Sequence, residues 1–312
     1  MLNRRHLRIK ILQGLYAYCQ SNNENYAAGE KELLHSIDKM YDLYLEYLLI
    51  LPELRNFADR KLEERKRKIM PSAQDLDPVR NFVDNSFILK FENSSELHHK
   101  AEDNSINWVG DIKQDLIKKL FGQIEQCDTY RKFMSLERPS YEEERSFAVE
   151  LFKKEIANSN ILLNHFEEVR IHWQDDFDHV FSMIVKLFKS IKKEDDAAIM
   201  DLYKDDEEEF VVKLFRKAVA QMDENSQLLS TKTKNWDSDR LAKMDILLMN
   251  LALTEAKEFP SIPLRVTMNE FIEISKYYST PKSSNFINGV LDKLFSELKE
   301  SGKIKKIGRG LV

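Results

Sequence analysis

Only eight glycines and seven prolines interrupt this chain of 312 residues. That is less than half the usual complement of about 12% for the two together. Tight turns draw on these residues for positive or pre-set φ angles. A sandwich, a barrel or a doubly wound sheet would therefore lack its connectors. Charged residues make up 32% and hydrophobic residues 42%, the mixture of helices with one apolar and one wet face. Aromatic residues reach 10%, enough to fill a core, which argues against disorder. The expectation is an all-α chain.

Helix boundaries are legible in several places. Asn3 is a good N-cap for a first helix reaching about Gln20, with Leu7, Ile11, Leu15 and Tyr18 at helical spacing. A second helix is predicted over 31–51, broken or kinked at Pro52, with a further helix to Lys68. A short helix is predicted near Phe87 and a longer one over 107–125, including Trp108, Ile112 and Leu116. Asp237 to Phe259 is apolar on all sides and should be central. Thr267 stands three residues before Glu270, the spacing of a capping box. Phe286, Val290, Leu294 and Leu298 make the last helix amphipathic.

The net charge of −5 hides strong segregation. Residues 1–10 carry Arg4, Arg5, Arg8 and Lys10 and no acid. Residues 194–209 carry nine acids against Lys204. Lys299 to Arg309 holds five cations and one acid. Arg4, Arg5 and Arg8 share one helix face at spacings of three and four. They occupy the first turns, where the macrodipole is already positive and cations cost stability. A phosphate-bearing partner reverses that sign, so this face is a candidate anion site. The run Arg65–Lys68 sits at a helix C-terminus, where cations are favourable without any ligand.

Signals for catalysis are weak, confined to clustered carboxylates that read as solvated helix faces. No phosphate loop or dinucleotide fingerprint is present, and no nucleophile has a neighbouring base. His165, His172 and His179 are seven apart, about 10.5 Å per step on a helix, too far to share one metal ion. Cys19 and Cys127 stand alone, which argues against zinc and a disulfide framework. No apolar stretch reaches 18 residues and no leader is evident. The expectation is a soluble, cytoplasmic protein, not an enzyme, with no cofactor and no membrane association.

Shifting the chain by 63 residues aligns two segments without a gap. Glu144, Phe147, Val149, Leu151, Phe152, Lys154, Ala157, Trp173 and Asp176 meet Glu207, Phe210, Val212, Leu214, Phe215, Lys217, Ala220, Trp236 and Asp239. Similar amphipathic hairpins explain some of these identities. Two of three tryptophans at one offset favour duplication, with 139–190 a copy of 202–253.

The basic first helix running into Gln13-x-Leu15-Tyr16 resembles the N-terminus of the bacterial transcription antitermination factor NusB family. Trp236, Arg240-Leu241, Asp245-Ile246-Leu247, Pro263, Val266, Met268-Asn269-Glu270 and the run FINGVLDK from Phe286 to Lys293 extend the resemblance in family order. It covers about 1–25 and 206–298. It implies an all-α pair of packed helical bundles, here with additional inserted helices. The layout expected is an arginine-rich helix at 1–25, an insertion at 26–205, a C-terminal bundle at 206–300 and a basic, mobile tail at 301–312.

The resemblance further implies binding of single-stranded boxA-type RNA of ribosomal RNA transcripts. The implied partners are NusE, a small-subunit ribosomal protein, and the RNA polymerase antitermination complex. The RNA-binding residues carried over are Arg4, Arg5 and Arg8, with Lys10 beside them. The partner-binding positions are Tyr16, Asp245, Lys282 and Phe286. Tyr16 and Phe286 equally suit core positions, and Asp245 a local cap. Lys282 stands where some members have an acid, and Asn250 where an arginine is common. A helical interaction scaffold that has lost RNA binding is the alternative.

Overall fold

The computed structural model of the protein describes residues 2–21, 25–169, 173, 175–232 and 242–311. Among these residues every regular element is helical. Numbered in chain order, the α-helices are α1 Arg4–Gln20, α2 Tyr26–Lys66, α3 Ala73–Leu76, α4 Ser86–Glu92 and α5 Ser95–Asp103. Then come α6 Asp111–Ile124, α7 Asp128–Met134 and α8 Tyr141–Leu151, the last continued by a π-helical turn at Phe152–Ile156. The remainder are α9 Asn160–Val169, α10 Phe177–Ser190, α11 Glu207–Ala220, α12 Met222–Lys232, α13 Lys243–Glu258, α14 Leu264–Tyr278 and α15 Ser283–Glu300. No helix of the described residues is long and apolar enough to cross a membrane.

The chain divides into two compact units. One combines Met1–Ile37 with Leu202–Val312, and the other is Asp38–Asp201. In the first, α13 is the central element. Leu247 through Ala256 are all buried, so this helix has no wet face, as its composition predicts. It packs against α1, α11, α12, α14 and α15. Leu7, Ile11, Leu12 and Leu15 of α1 complete that core. Gly14 brings α1 close to α2, since a Cβ there would lie 3.1 Å from the Leu33 side chain.

The second unit is built around aromatic residues. Tyr47 of α2 packs against Phe152, Phe166, Phe177 and Phe181, with ring centroids 4.8–6.4 Å apart. Trp108 precedes α6 and donates its indole N–H to the Glu46 carbonyl at 3.1 Å.

Some boundaries depart from the sequence reading. Pro52 does not end α2, which runs through it. An interior proline costs about 3 kcal/mol. Every residue from Met40 to Pro52 is buried, and that packing outweighs the lost hydrogen bond. Ile112, placed in an apolar stripe, is exposed. Thr267 does not cap α14, which starts a turn earlier with Pro263 at the N-cap and no side-chain cap bond.

Residues 301–311, expected to be free of the body, are packed against it. Ile304 is buried and donates its N–H to the Leu298 carbonyl at 3.0 Å. Ile307 does the same to Pro260 at 3.1 Å.

The 63-residue shift also relates helices. Moved by 63, the α8–π segment falls at 204–219, α9 at 223–232 and α10 at 240–253, close to α11, α12 and α13. Glu144, Phe147, Leu151 and Phe152 are buried, and so are Glu207, Phe210, Leu214 and Phe215. Trp236 and Asp239 lie outside the described residues.

Candidate functional site

The arginine-bearing end of α1 is set by its cap. Asn3 accepts hydrogen bonds from the His6 N–H at 3.0 Å and from the His6 Nδ1 at 2.9 Å. That fixes the first turn, and from this end of α1 three arginines reach three acids, Arg5 and Arg8 both meeting Glu270.

Arg8 is only 2% exposed and points inward. Its Nε and Nη2 donate to the Glu255 carboxylate of α13 at 2.7 and 2.9 Å. Glu255 is fully buried and also accepts from the Thr267 hydroxyl at 2.7 Å. Arg5 forms a second fork on Glu270 of α14, both contacts 2.8 Å. Arg4 pairs with Asp206 and lies over the Phe210 ring, 4.3 Å from its centroid. Lys10 is buried.

Two of the four cations expected at an RNA surface are therefore not at the surface. Arg8 and Lys10 follow the buried stripe of α1, because Arg8 stands three, four and seven residues before Ile11, Leu12 and Leu15. Arg4 and Arg5 line an open groove of about 680 Å3, with Arg8 at its floor, the acids Asp206 and Glu270 in its wall, and His6, Phe259, Pro263 and Val266 beside them. The start of α14 borders this groove with no side-chain cap and no acid in its first turn. Its amide dipoles thus add positive potential where the guanidiniums sit.

The electrostatics of the groove are readable in two shifts. Burial, together with Arg5 and Lys10, lowers the His6 pKa to about 4. Arg5 holds Glu270 below the usual carboxylate range, chiefly through their hydrogen bond. For His6 the unfolded chain titrates near 6.5, so between pH 6.5 and 4 it binds the extra proton and the folded chain does not. Stability from this group is complete above pH 6.5 and is lost as pH falls through that window. His6→Asn is expected to reduce the loss of urea midpoint between pH 6.5 and 4. An identical pH dependence for the two proteins contradicts the assignment.

The partner positions separate into two linked contacts. Tyr16 is exposed and its hydroxyl accepts from Gln20 Nε2 at 2.8 Å. Lys243, at the start of α13, donates to Gln20 Oε1 at 2.9 Å and stands 5.9 Å from the Tyr16 ring centroid. Asp245 is 5% exposed and accepts from the Ser279 and Ser283 hydroxyls, the latter at 2.8 Å. It therefore ties the α14–α15 turn to α13. Lys282 is exposed in that turn, and Phe286 follows half-buried on α15. The first turn of α13 connects the two contacts through Lys243 and Asp245.

Asn250, where an arginine is common among the resembled proteins, is structural. It is buried, accepts from Asn225 Nδ2 at 2.7 Å and donates to the Ala218 carbonyl at 3.0 Å. His165 and His179 belong to separate helices, and His172 lies outside the described residues, as do Arg240 and Leu241. Among the described residues no group of three potential metal ligands occurs.

Sequence reasoning missed Glu255, Thr267 and Lys243 as parts of these contacts. Glu255 carried a usable signal. It is an acid inside a run of buried positions, and a buried charge demands a partner. Glu270, at capping-box spacing from Thr267 in the sequence, serves Arg5 instead.

Comparison with known proteins matches the part of the chain from α10 into α15 and does not include α1. A family model described as the NusB family matches residues 177–296. A protein named transcription antitermination protein NusB from Salinibacter ruber (strain DSM 13855 / M31) is 38% identical over 104 residues, 33% of this chain and 65% of the relative. Its namesake in Chloroherpeton thalassium (strain ATCC 35110 / GB-78) is 38% identical over 104 residues, 33% of this chain and 49% of the relative. The namesake in Listeria monocytogenes serotype 4b (strain CLIP80459) is 39% identical over 102 residues, 33% of this chain and 80% of the relative. The match thus spans less than two thirds of the first two relatives. No solved structure matches the chain.

Proposed function

The chain belongs to the NusB family, and from that premise we propose that it is a non-catalytic transcription antitermination factor. In this reading it binds single-stranded RNA of the boxA type in ribosomal RNA transcripts. It does so together with the ribosomal protein NusE, and the pair supports read-through by RNA polymerase. The family match begins at residue 177, so the stretch between α1 and that residue is what this reading treats as an addition, in place of the 26–205 expected from the sequence.

The observation that carries the reading is the groove between α1 and the start of α14. Arg4 and Arg5 line it beside the start of α14, which has no side-chain cap. Phosphate contacts are assigned to Arg4 and Arg5. Arg8 acts beneath them by fixing α1 on α13. Tyr16, Lys282 and Phe286 present the NusE face, and Asp245 holds the turn that carries two of them.

One observation favours a second reading. Arg4, Arg5 and Arg8 all have acid partners within the fold, so RNA must exchange with Asp206 and Glu270. A scaffold that no longer binds RNA would look the same at these residues.

Titration of a fluorescent boxA-type RNA, with and without NusE, separates the two. Arg4→Gln/Arg5→Gln is expected to weaken binding about 10-fold and to reduce the log–log salt slope by about 1.4, at about 0.7 per single-strand phosphate. The lost ion pairs are exposed enough that stability should change little. Unchanged RNA affinity removes these residues from the site. Absence of RNA binding under both conditions favours the scaffold.

A further inference from the structure

We propose that the docked C-terminal segment and the first turn of α14 form a second phosphate-binding stretch, which continues the RNA path beyond Arg4 and Arg5. This rests on the RNA-binding reading above.

Exposed cations without an acid partner among the described residues occur here, in contrast to the α1 arginines. The α1 arginines meet Asp206, Glu270 and Glu255. Arg265 and Lys299 are exposed, and neither enters an ion pair among the described residues. Together with Lys306 they line a cavity of about 490 Å3, which also has apolar walls from Met268, Phe295 and Ile304. Asp292 is an acid in the same lining. Lys305 is exposed in the adjoining segment.

The two grooves share one strut. Pro263 and Val266 line the arginine groove, while the intervening Leu264 and Arg265 line the second cavity. Lys306 Nζ donates to the Phe259 carbonyl at 3.0 Å. The Phe259 ring packs 4.9 Å from Phe210, over which Arg4 lies. Gly310 approaches the Pro260 carbonyl so closely that a Cβ would stand 2.0 Å from its oxygen. The basic segment is thus held in register with the arginine groove, which is what a continuous polyanion requires. Half-burial lowers the Lys306 pKa to about 8, opposed by Glu255, so Lys306 is mostly charged at neutral pH.

The test uses the full chain, a short boxA-type RNA filling the first groove, and the same RNA lengthened by about ten nucleotides. Arg265→Gln/Lys299→Gln removes two cations that hold no internal partner. It should leave the short RNA unaffected, abolish the added affinity of the longer RNA, and lower its salt slope by about 1.4. Gly310→Val, which displaces the segment from Pro260, should give the same loss while thermal unfolding of the helical core persists. Wild-type affinity and slope for the longer RNA in the double variant would overturn the proposal. Loss of binding in Arg4→Gln/Arg5→Gln under that outcome would leave the first groove intact as a reading. If neither RNA binds the wild-type chain, both readings fall.

Discussion

Arg8→Met is expected to destabilise the protein by about 3–5 kcal/mol, the usual cost of breaking a buried ion pair from one side. The reason lies in the partner left behind. Glu255 is fully buried on the central helix and takes two charge-assisted hydrogen bonds from Arg8. Without the guanidinium it retains the Thr267 hydroxyl at 2.7 Å and the weaker influence of Lys306. A carboxylate so placed must either stay charged in a low-dielectric interior or take up a proton, and both routes cost stability. Arg8→Met/Glu255→Met should recover most of the loss, because the desolvation of both charges disappears with them. Urea denaturation of the single and double variants measures this directly. A single-variant loss under about 1 kcal/mol would show that the pair does not hold α1 to α13. Loss of RNA binding in Arg8→Met must accordingly be read against its unfolding curve, which Arg5→Gln does not require.

The same pair explains what could be read from the sequence. Asn3 as a cap and α13 as the central helix follow from local chemistry and from composition, and both were legible. Spacing also put Arg4, Arg5 and Arg8 on neighbouring helix positions. It did not say which side of that surface meets solvent. The stripe through Ile11, Leu12 and Leu15 contains Arg8, but a charged residue in a buried stripe is understood only once its partner, 247 residues away, is known. The Thr267–Glu270 spacing was misleading for a similar reason. Glu270 is spent on Arg5, and Pro263 starts the helix earlier. Charge alone does not reveal that the basic tail is docked, which follows from the buried Ile304, the Pro260 carbonyl and the Lys306 bond to the Phe259 carbonyl. The proline at 52 failed as a stop signal because burial on every side of α2 outweighs a single local defect.

Asp245→Ala is expected to cost about 2–3 kcal/mol, the scale of hydrogen bonds to a charged group discounted for the carboxylate's own desolvation. Asp245 accepts from Ser279 and Ser283, and Ser283 is itself almost fully buried. Removing the carboxylate leaves those hydroxyls to each other and to Thr280, whose hydroxyl is 2.8 Å from that of Ser283. The turn carrying Lys282 then loses its tie to α13. Binding of NusE should weaken in parallel with stability, because the surface near Lys282 and Phe286 is no longer fixed. Asp245→Asn separates this indirect role from direct contact with the partner. Its amide oxygen still accepts from one serine, so most of the fold and most of the partner affinity should survive. If Asp245→Asn keeps its unfolding midpoint yet loses NusE binding, the carboxylate itself touches the partner and the positioning role is wrong. If Asp245→Ala leaves both stability and binding unchanged, the turn is held by the packing of α14 on α15 alone.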